Sequence, residues 1–243
     1  SLIKVGAGGK GITGIYDNAS TADHELSLLS PNGKIELGGN GAIGIMASAV
    51  GGGHKATITN KGNIVTTAGT GTIGIVGKGT YIANEGNINI GASGIGIYTT
   101  NDGANTNTEL KNTGEINLNG DEAKGIIAYK TNTNKAFIGG KITGTKNRLI
   151  GMFFKSASTT VTVKDTKISL GNNAKGLVFE GSNFNVTTTS GKNQIKVGGT
   201  TEEANRSIGV VAKGSSGTIA NTDVIIGNKT IYWTICKWRY INI

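Results

Sequence analysis

Three stretches carry the glycine spacing of a dinucleotide-binding loop: Gly9-Lys10-Gly11-Ile12-Thr13-Gly14, Gly39-Asn40-Gly41-Ala42-Ile43-Gly44 and Gly69-Thr70-Gly71-Thr72-Ile73-Gly74. Phosphate binding needs such a loop to open a helix whose N-terminal amides face the anion, and no helical pattern follows any of the three. They share one place in a longer repeat, so they read as corners. Two acidic doublets, Asp121-Glu122 and Glu202-Glu203, could supply carboxylate catalysis. They lie three repeats apart, roughly 14 Å by strand spacing, and an inverting glycosidase pair tolerates at most about 9.5 Å. Solvated corners are the expectation. His24 and His54, the only histidines, fall in segments read as loops, with no second histidine or cysteine at ligand spacing. The single cysteine, Cys236, excludes an intrachain disulfide and a cysteine-based metal site. Gly51-Gly52-Gly53-His54 lacks the aspartate of a calcium-binding nonapeptide. No catalytic residue, cofactor or metal is expected, and the chain is not expected to be an enzyme.

The elements that position these residues repeat. An aliphatic pair of the type Ile-x-Ile begins at Ile3, Ile35, Ile64, Ile88, Ile116, Ile142, Ile168, Ile195 and Val224, with gaps of 24 to 32 residues. A Gly-aliphatic step keeps pace at Gly14-Ile15, Gly44-Ile45, Gly74-Ile75, Gly96-Ile97, Gly125-Ile126, Gly151-Met152, Gly176-Leu177 and Gly209-Val210. A period near 28 signals a solenoid. Within the pairs the intervening residues are polar, as in Lys34-Ile35-Glu36-Leu37 and Ile195-Lys196-Val197, so aliphatics point inward and the others outward. Gly33, Gly62, Gly86, Gly114 and Gly140 precede the pair by two, and Asn60, Asn84 and Asn112 precede their glycines by two. Such Asn-x-Gly triplets suit tight corners in which Asn tolerates the left-handed region and Gly takes positive φ. A further aliphatic six residues before the pair, at Leu29, Ile58, Ile82 and Leu110, ends a third strand. The expected fold is an all-β, right-handed parallel β-helix of about nine coils of about 28 residues, roughly triangular in section.

Composition agrees. The chain has 41 glycines among 243 residues and one proline, and is rich in Asn, Thr and Ile, which favours short strands and turns over helix. The net charge of +9 rests on lysines spread along the chain, with Arg148, Arg206 and Arg239 the only arginines. A nucleic-acid partner would call for clustered Arg and Lys with interleaved aromatics, so none is expected. There is no charged-then-apolar leader and no apolar run near 18 residues, so the chain reads as an internal fragment. Coil length varies mainly after the Gly-aliphatic step, over 17–28, 49–55, 101–108 and 130–135, with another excursion at 200–206. Residues 1–227 form the repeats. Residues 228–243, with both tryptophans and Cys236, form a non-repeating tail, either a cap or, preferably, foreign sequence.

The second residue after each of these glycines is apolar in every copy: Tyr16, Met46, Val76, Tyr98, Ile127, Phe153, Val178 and Val211. If its neighbours point inward, this residue forms an outward apolar ladder that is either covered by loops or an exposed adhesive stripe. Beside it Lys78, Lys155 and Lys213 share the fourth position after Gly, with Lys130 one further on and Glu180 interrupting. This row either guards a strand edge or meets anionic glycans. Tyr16, Tyr98, Phe153, Lys78, Lys155 and Lys213 are the candidate binding residues.

The pattern Asn-x-Gly-x-Ile-x-Ile, a glycine-rich corner, then Gly-Ile-Tyr or Gly-Ile-Ile-Ala resembles passenger domains of large type V autotransporters, above all fusobacterial outer-membrane adhesins, over about residues 1–227. The resemblance implies a β-helix shaft displayed on the cell surface and carried there by a C-terminal membrane barrel that is absent here. It transfers no binding residue. It implies a monomeric adhesin or structural shaft that contacts host or bacterial cell-surface proteins or glycans. A polysaccharide-active β-helix enzyme is the alternative, and an ice-binding threonine array fits the irregular coil lengths less well.

Overall fold

The computed structural model describes residues 1–6, 12–19, 22–49, 54–101, 108–131, 135–199 and 206–227, with the backbone of two short strands beyond them. Every regular element among the described residues is a strand, and the strands stack in parallel as a β-solenoid with three walls. The first wall holds the Ile-x-Ile pairs: β1 (Leu2–Val5), β4 (Lys34–Leu37), β7 (Asn63–Thr66), β10 (Asn87–Ile90), β13 (Glu115–Leu118), the second halves of β15 (Phe137–Gly144) and β17 (Val161–Leu170), β20 (Asn193–Val197) and β23 (Thr222–Ile226). The second wall is an eight-stranded sheet of β2 (Thr13–Asn18), β5 (Ile43–Ser48), β8 (Ile73–Lys78), β11 (Ile95–Thr100), β14 (Lys124–Tyr129), β16 (Ile150–Lys155), β18 (Lys175–Glu180) and β21 (Ile208–Lys213). The third wall holds β3 (His24–Leu28), β6 (Ala56–Asn60), β9 (Thr80–Asn84), β12 (Glu109–Asn112), the first halves of β15 and β17, β19 (Phe184–Val186) and β22 (Gly217–Ile219). Because β15 and β17 run unbroken round one corner, the first and third walls join into a single sheet.

The registers predicted from the repeat hold at every rung. Ile3, Ile35, Ile64, Ile88, Ile116, Ile142, Ile168, Ile195 and Val224 pair in one column. Ile15, Ile45, Ile75, Ile97, Ile126, Met152, Leu177 and Val210 form another. The coil count is lower than the expected nine. The eight strands of the second wall mark seven turns, and the ninth pair, in β23, has no second-wall strand after it among the described residues. Its edge is instead taken by the antiparallel β24 (Lys229–Thr230), while β25 (Ile241–Asn242) lies beside β22. The rest of the 228–243 tail lies outside the described residues.

The corner reading of the Asn-x-Gly residues needs correction, and the glycines of the Gly-aliphatic step have a reason of their own, since none takes positive φ. They are required by close approach: a Cβ on Gly96 would sit 2.6 Å from the Gly125 carbonyl oxygen and 2.7 Å from Ile116 Cγ2, and Gly44, Gly74, Gly125 and Gly151 are equally confined. The column marks where the second wall presses on the first. Gly62, Gly86 and Gly114 also lack positive φ, and a Cβ on Gly86 or Gly114 would run into the glycine carbonyl of the rung before. Of the corner glycines named above, only Gly140 is left-handed, at φ 58°.

Asn60, Asn84 and Asn112 are likewise not left-handed turn residues. All three are fully buried and form an internal amide ladder. Asn60 Nδ2 donates to Asn84 Oδ1 and Asn84 Nδ2 to Asn112 Oδ1, both at 2.7 Å, and Asn112 Nδ2 ends the ladder on the Gly139 carbonyl at 2.7 Å. Stacking identical amides at the strand spacing lets each donate to the next, so buried polar groups cost little. In the third wall the residue that aligns with Ile58, Ile82 and Leu110 is Leu26, not Leu29, which is 58% exposed. The longer corner around Pro31 shifts the count by three.

In the later coils aromatic side chains fill the core. Phe137, Phe154, Phe179 and Phe184 are fully buried in series: Phe137 meets Phe154 edge to face at 5.2 Å, and Phe154, Phe179 and Phe184 stack at 5.2 and 4.1 Å between ring centroids. In earlier coils the same second-wall column holds Ala47, Gly77, Thr99 and Ala128, facing Ile58, Ile82 and Leu110.

Asn84→Ala removes a rung of the amide ladder and orphans its neighbours, and should lower unfolding free energy by about 1–3 kcal/mol. Gly96→Ala should cost about 1–3 kcal/mol through overpacking. Asn89→Ala, on the outward side of β10, should stay within about 0.5 kcal/mol. Urea midpoints of the three variants check the order.

Candidate functional site

Alternation along the second wall fixes which side chains face out. Ile97 is fully buried, and Tyr98, the next residue, is half-buried on the outer surface. The outward column runs Tyr16, Met46, Val76, Tyr98, Ile127, Phe153, Val178, Val211, paired rung on rung. Tyr16 is 58% exposed, while Val76 and Val178 are only 5% and 7% exposed; the other five lie between. The ladder is an outer surface, not a second core. Tyr16, Tyr98 and Phe153 stand on the first, fourth and sixth strands of the wall, so the aromatics are spaced along the face and do not form one cluster.

A second apolar column escaped the sequence reading. The residue before each glycine forms the register Thr13, Ile43, Ile73, Ile95, Lys124, Ile150, Lys175, Ile208, and its aliphatics are all half-buried. The signal was present, an isoleucine ahead of the glycine in five copies, but it looked like part of the corner. Together the columns give an apolar band about 34 Å long, at roughly 4.8 Å per rung.

The basic row beside this band is interrupted by one acid, which cancels part of its charge. Lys155, Glu180 and Lys213 are consecutive in register, and Glu180 Oε1 lies 3.6 Å from Lys155 Nζ and 3.4 Å from Lys213 Nζ. Lys130 takes φ 50° and sits over the Tyr129 ring at 5.3 Å. Lys78 aligns with Ser48 and Thr100 and is half-buried.

The residues first considered for chemistry serve corners. Gly41, Gly69 and Gly71 take positive φ and lead into β5 and β8, with no helix behind them; residues 7–11 lie outside the described set. Asp121 accepts a hydrogen bond from the Asn147 amide at 3.0 Å, and Glu122, at φ 62°, pairs with Arg148 at 3.0 Å. Glu202-Glu203 falls outside the described residues. His24 opens β3 rather than a loop and bonds Asp17 at 2.9 Å, and His54 lies 3.7 Å from Asp23. No group of three or more His, Cys, Asp or Glu able to hold a metal occurs among the described residues, and no helix there is long and apolar enough to cross a membrane.

Four titrating groups are displaced. Lys135 lies above its ordinary value through a hydrogen bond to Glu109 and that carboxylate's charge, against desolvation. The Glu36 carboxyl lies below its ordinary value through a hydrogen bond from Lys34, with the charges of Lys34 and Lys4 adding to it against desolvation. Burial first, then the charges of Glu109 and Glu85, pushes the Tyr81 hydroxyl up. Burial alone would raise Asp165, but hydrogen bonds from the Thr189 hydroxyl and amide and the Thr188 hydroxyl, with Lys164 nearby, outweigh it and leave the carboxyl below its usual range.

Comparison with protein-family models, curated proteins and solved structures finds no match for this chain.

Two outcomes follow. Ile97→Thr puts a hydroxyl into a sealed core and should cost about 1–3 kcal/mol, whereas Tyr98→Thr should stay within about 1 kcal/mol, as read from denaturant midpoints. Because the folded Asp165 has the lower pKa, its stabilisation is full above the unfolded value near 3.9 and is lost as pH falls through the folded value. The stability gap between the parent and Asp165→Asn should be constant near neutrality and close progressively below about pH 4.

Proposed function

We propose that this chain is a segment of a secreted, surface-displayed autotransporter passenger, an adhesin or structural shaft that contacts host or bacterial cell-surface molecules through loops and one face. The observation that carries the reading is the outward apolar band of the second wall. A wall paired on every rung is stiff, so side chains on it are held in place without entropy being lost on binding. A column apolar in five of its eight strands, polar at Thr13, Lys124 and Lys175, beside another apolar in all eight, is more than scattered surface hydrophobicity. The repeat style supports the passenger assignment. On this reading the parent chain is anchored in the outer membrane by a barrel outside this sequence, the passenger is a monomer, and it carries no cofactor. The partner is a cell-surface protein or glycan.

Binding of the purified chain to cultured epithelial cells and to bacterial cells tests the proposal. The chain should bind one of them, and Tyr98→Thr with Phe153→Thr should weaken binding by about tenfold, in line with loss of central anchors, while the melting transition stays in place. Unchanged binding by that double variant would remove the second wall from the reading. If incubation with a polysaccharide panel released new reducing ends or unsaturated products, the alternative of a polysaccharide-active β-helix enzyme would replace it.

A further inference from the structure

The corner between the third and first walls changes construction part-way along the shaft. After the longer corner around Pro31 it is the tight Asn-x-Gly turn at Asn60, Asn84 and Asn112. In β15 and β17 the strand instead runs through it by way of a left-handed residue, Gly140 at φ 58° and Asp165 at φ 49°. One coil later the corner widens into residues 187–192. Asp165 holds that widened loop, accepting the Thr188 hydroxyl at 2.8 Å, the Thr189 amide at 2.8 Å and the Thr189 hydroxyl at 2.6 Å.

Between the tight turn and the raised loop lies a groove of about 460 Å³, floored by Gly140 and Thr166. Its cationic lining is Lys111, Lys141, Lys167 and Lys192, one from each of four successive coils, and Thr188 and Ser190 add hydroxyls. At roughly 4.8 Å per rung the four ammonium groups span about 14 Å along the axis.

Most acidic residues on this shaft are consumed by neighbouring rungs. Lys141 pairs with Glu115 at 3.0 Å and Lys192 with Asp223 at 3.0 Å, both exposed contacts of the weak, exchangeable kind. Lys111 and Lys167 have no ion-pair partner among the described residues, and neither does Lys164, which shares a register column with Lys111. The one carboxylate in the groove lining, Asp165, accepts from Thr188 and Thr189, which hold it ionised and turned toward the loop. Four ammonium groups against one carboxylate leave the groove lining cationic, with Lys111 and Lys167 carrying the unpaired charge, and such a surplus in a concave site raises the local concentration of anions.

We infer that this groove binds a linear acidic polysaccharide, laid along the shaft axis, with its sulfate or carboxylate groups on Lys111, Lys141, Lys167 and Lys192 and its hydroxyls on Thr188 and Ser190. The length of the charge row calls for a polymer rather than a single small anion. The chemistry also selects against nucleic acid: no aromatic side chain lines the groove to stack a base, and no arginine offers a fork to phosphate. The site lies away from the apolar band and stands independently of the function proposed for it.

Titration of the intact chain with heparin, alginate, neutral dextran and duplex DNA, at about 0.15 M ionic strength, provides the test. Heparin or alginate should bind and dextran should not, with the two acidic polymers separating sulfate from carboxylate recognition. The pair Lys111→Gln and Lys167→Gln should weaken that binding at least about fivefold, since each exposed charge contact contributes a few-fold. Lys55→Gln with Lys146→Gln, which removes the same charge from exposed sites elsewhere, should change it less than twofold. All four lysines are exposed, so both variants should melt with the parent. Equal losses in the two pairs, acidic polymers bound no better than dextran, or DNA bound as well as heparin would each overturn the assignment.

Discussion

Every rung of this solenoid sits directly above another, in the same register, at the fixed spacing of parallel strands. That stacking constraint governs the choice of residue almost everywhere. A side chain has the corresponding side chain of the next coil as its nearest neighbour, so types that stack well on themselves form columns. The isoleucine columns bury aliphatic surface against aliphatic surface. The glycine column exists because the second wall comes so close to the first that the neighbouring glycine carbonyl fills the place of a Cβ. The asparagine ladder persists while each amide has an amide to donate to, and stops where Gly139 offers a backbone carbonyl in its place. A rung is sealed only when covered on both sides: Ile3 and Ile15 are partly buried, whereas Ile35, Ile64 and Ile75 are fully so.

The same constraint explains what could be read from the sequence. Registers were legible because a column is a periodic signal, and the Ile-x-Ile and Gly-aliphatic columns fall where the spacing puts them. The reasons behind the small residues were not legible. Gly96 and Asn84 have the composition of turn residues, but what fixes them is a carbonyl and an amide on neighbouring rungs, and contacts between rungs do not appear in a linear chain. Leu29 was misplaced for a related reason. Counting back from the isoleucine pair assumes a constant corner length, and the corner around Pro31 is longer. Nine pairs suggested nine coils, yet a pair alone does not make a turn.

Outward positions obey a different logic. Where a column carries charge, stacking sets like over like unless signs alternate. The structure alternates them: Lys155, Glu180, Lys213 in one column and Glu115, Lys141 in another. Glu180 therefore serves two lysines, and the basic row read from the sequence loses part of its charge. The candidate lysines were chosen because they recur at one position, but recurrence in a stacked column is also what lets an opposite charge reach two of them.

With 24 basic residues and 15 acidic ones, alternation cannot be completed everywhere. The surplus is spread unevenly, because acids are placed where a column of lysines would otherwise repel itself. Lys141 and Lys167 are consecutive in register without an acid between them. That is the local arrangement the rest of the described shaft avoids, and it occurs beside the widened corner, where Glu115 reaches Lys141 but Asp165 is turned toward Thr188 and Thr189 and no acid among the described residues pairs with Lys167. Like charges stacked at strand spacing destabilise a sheet, and Glu115 offsets Lys141 from within the column, which leaves Lys167 as the uncompensated charge. An anion laid across the rungs would supply the alternation that the sequence omits.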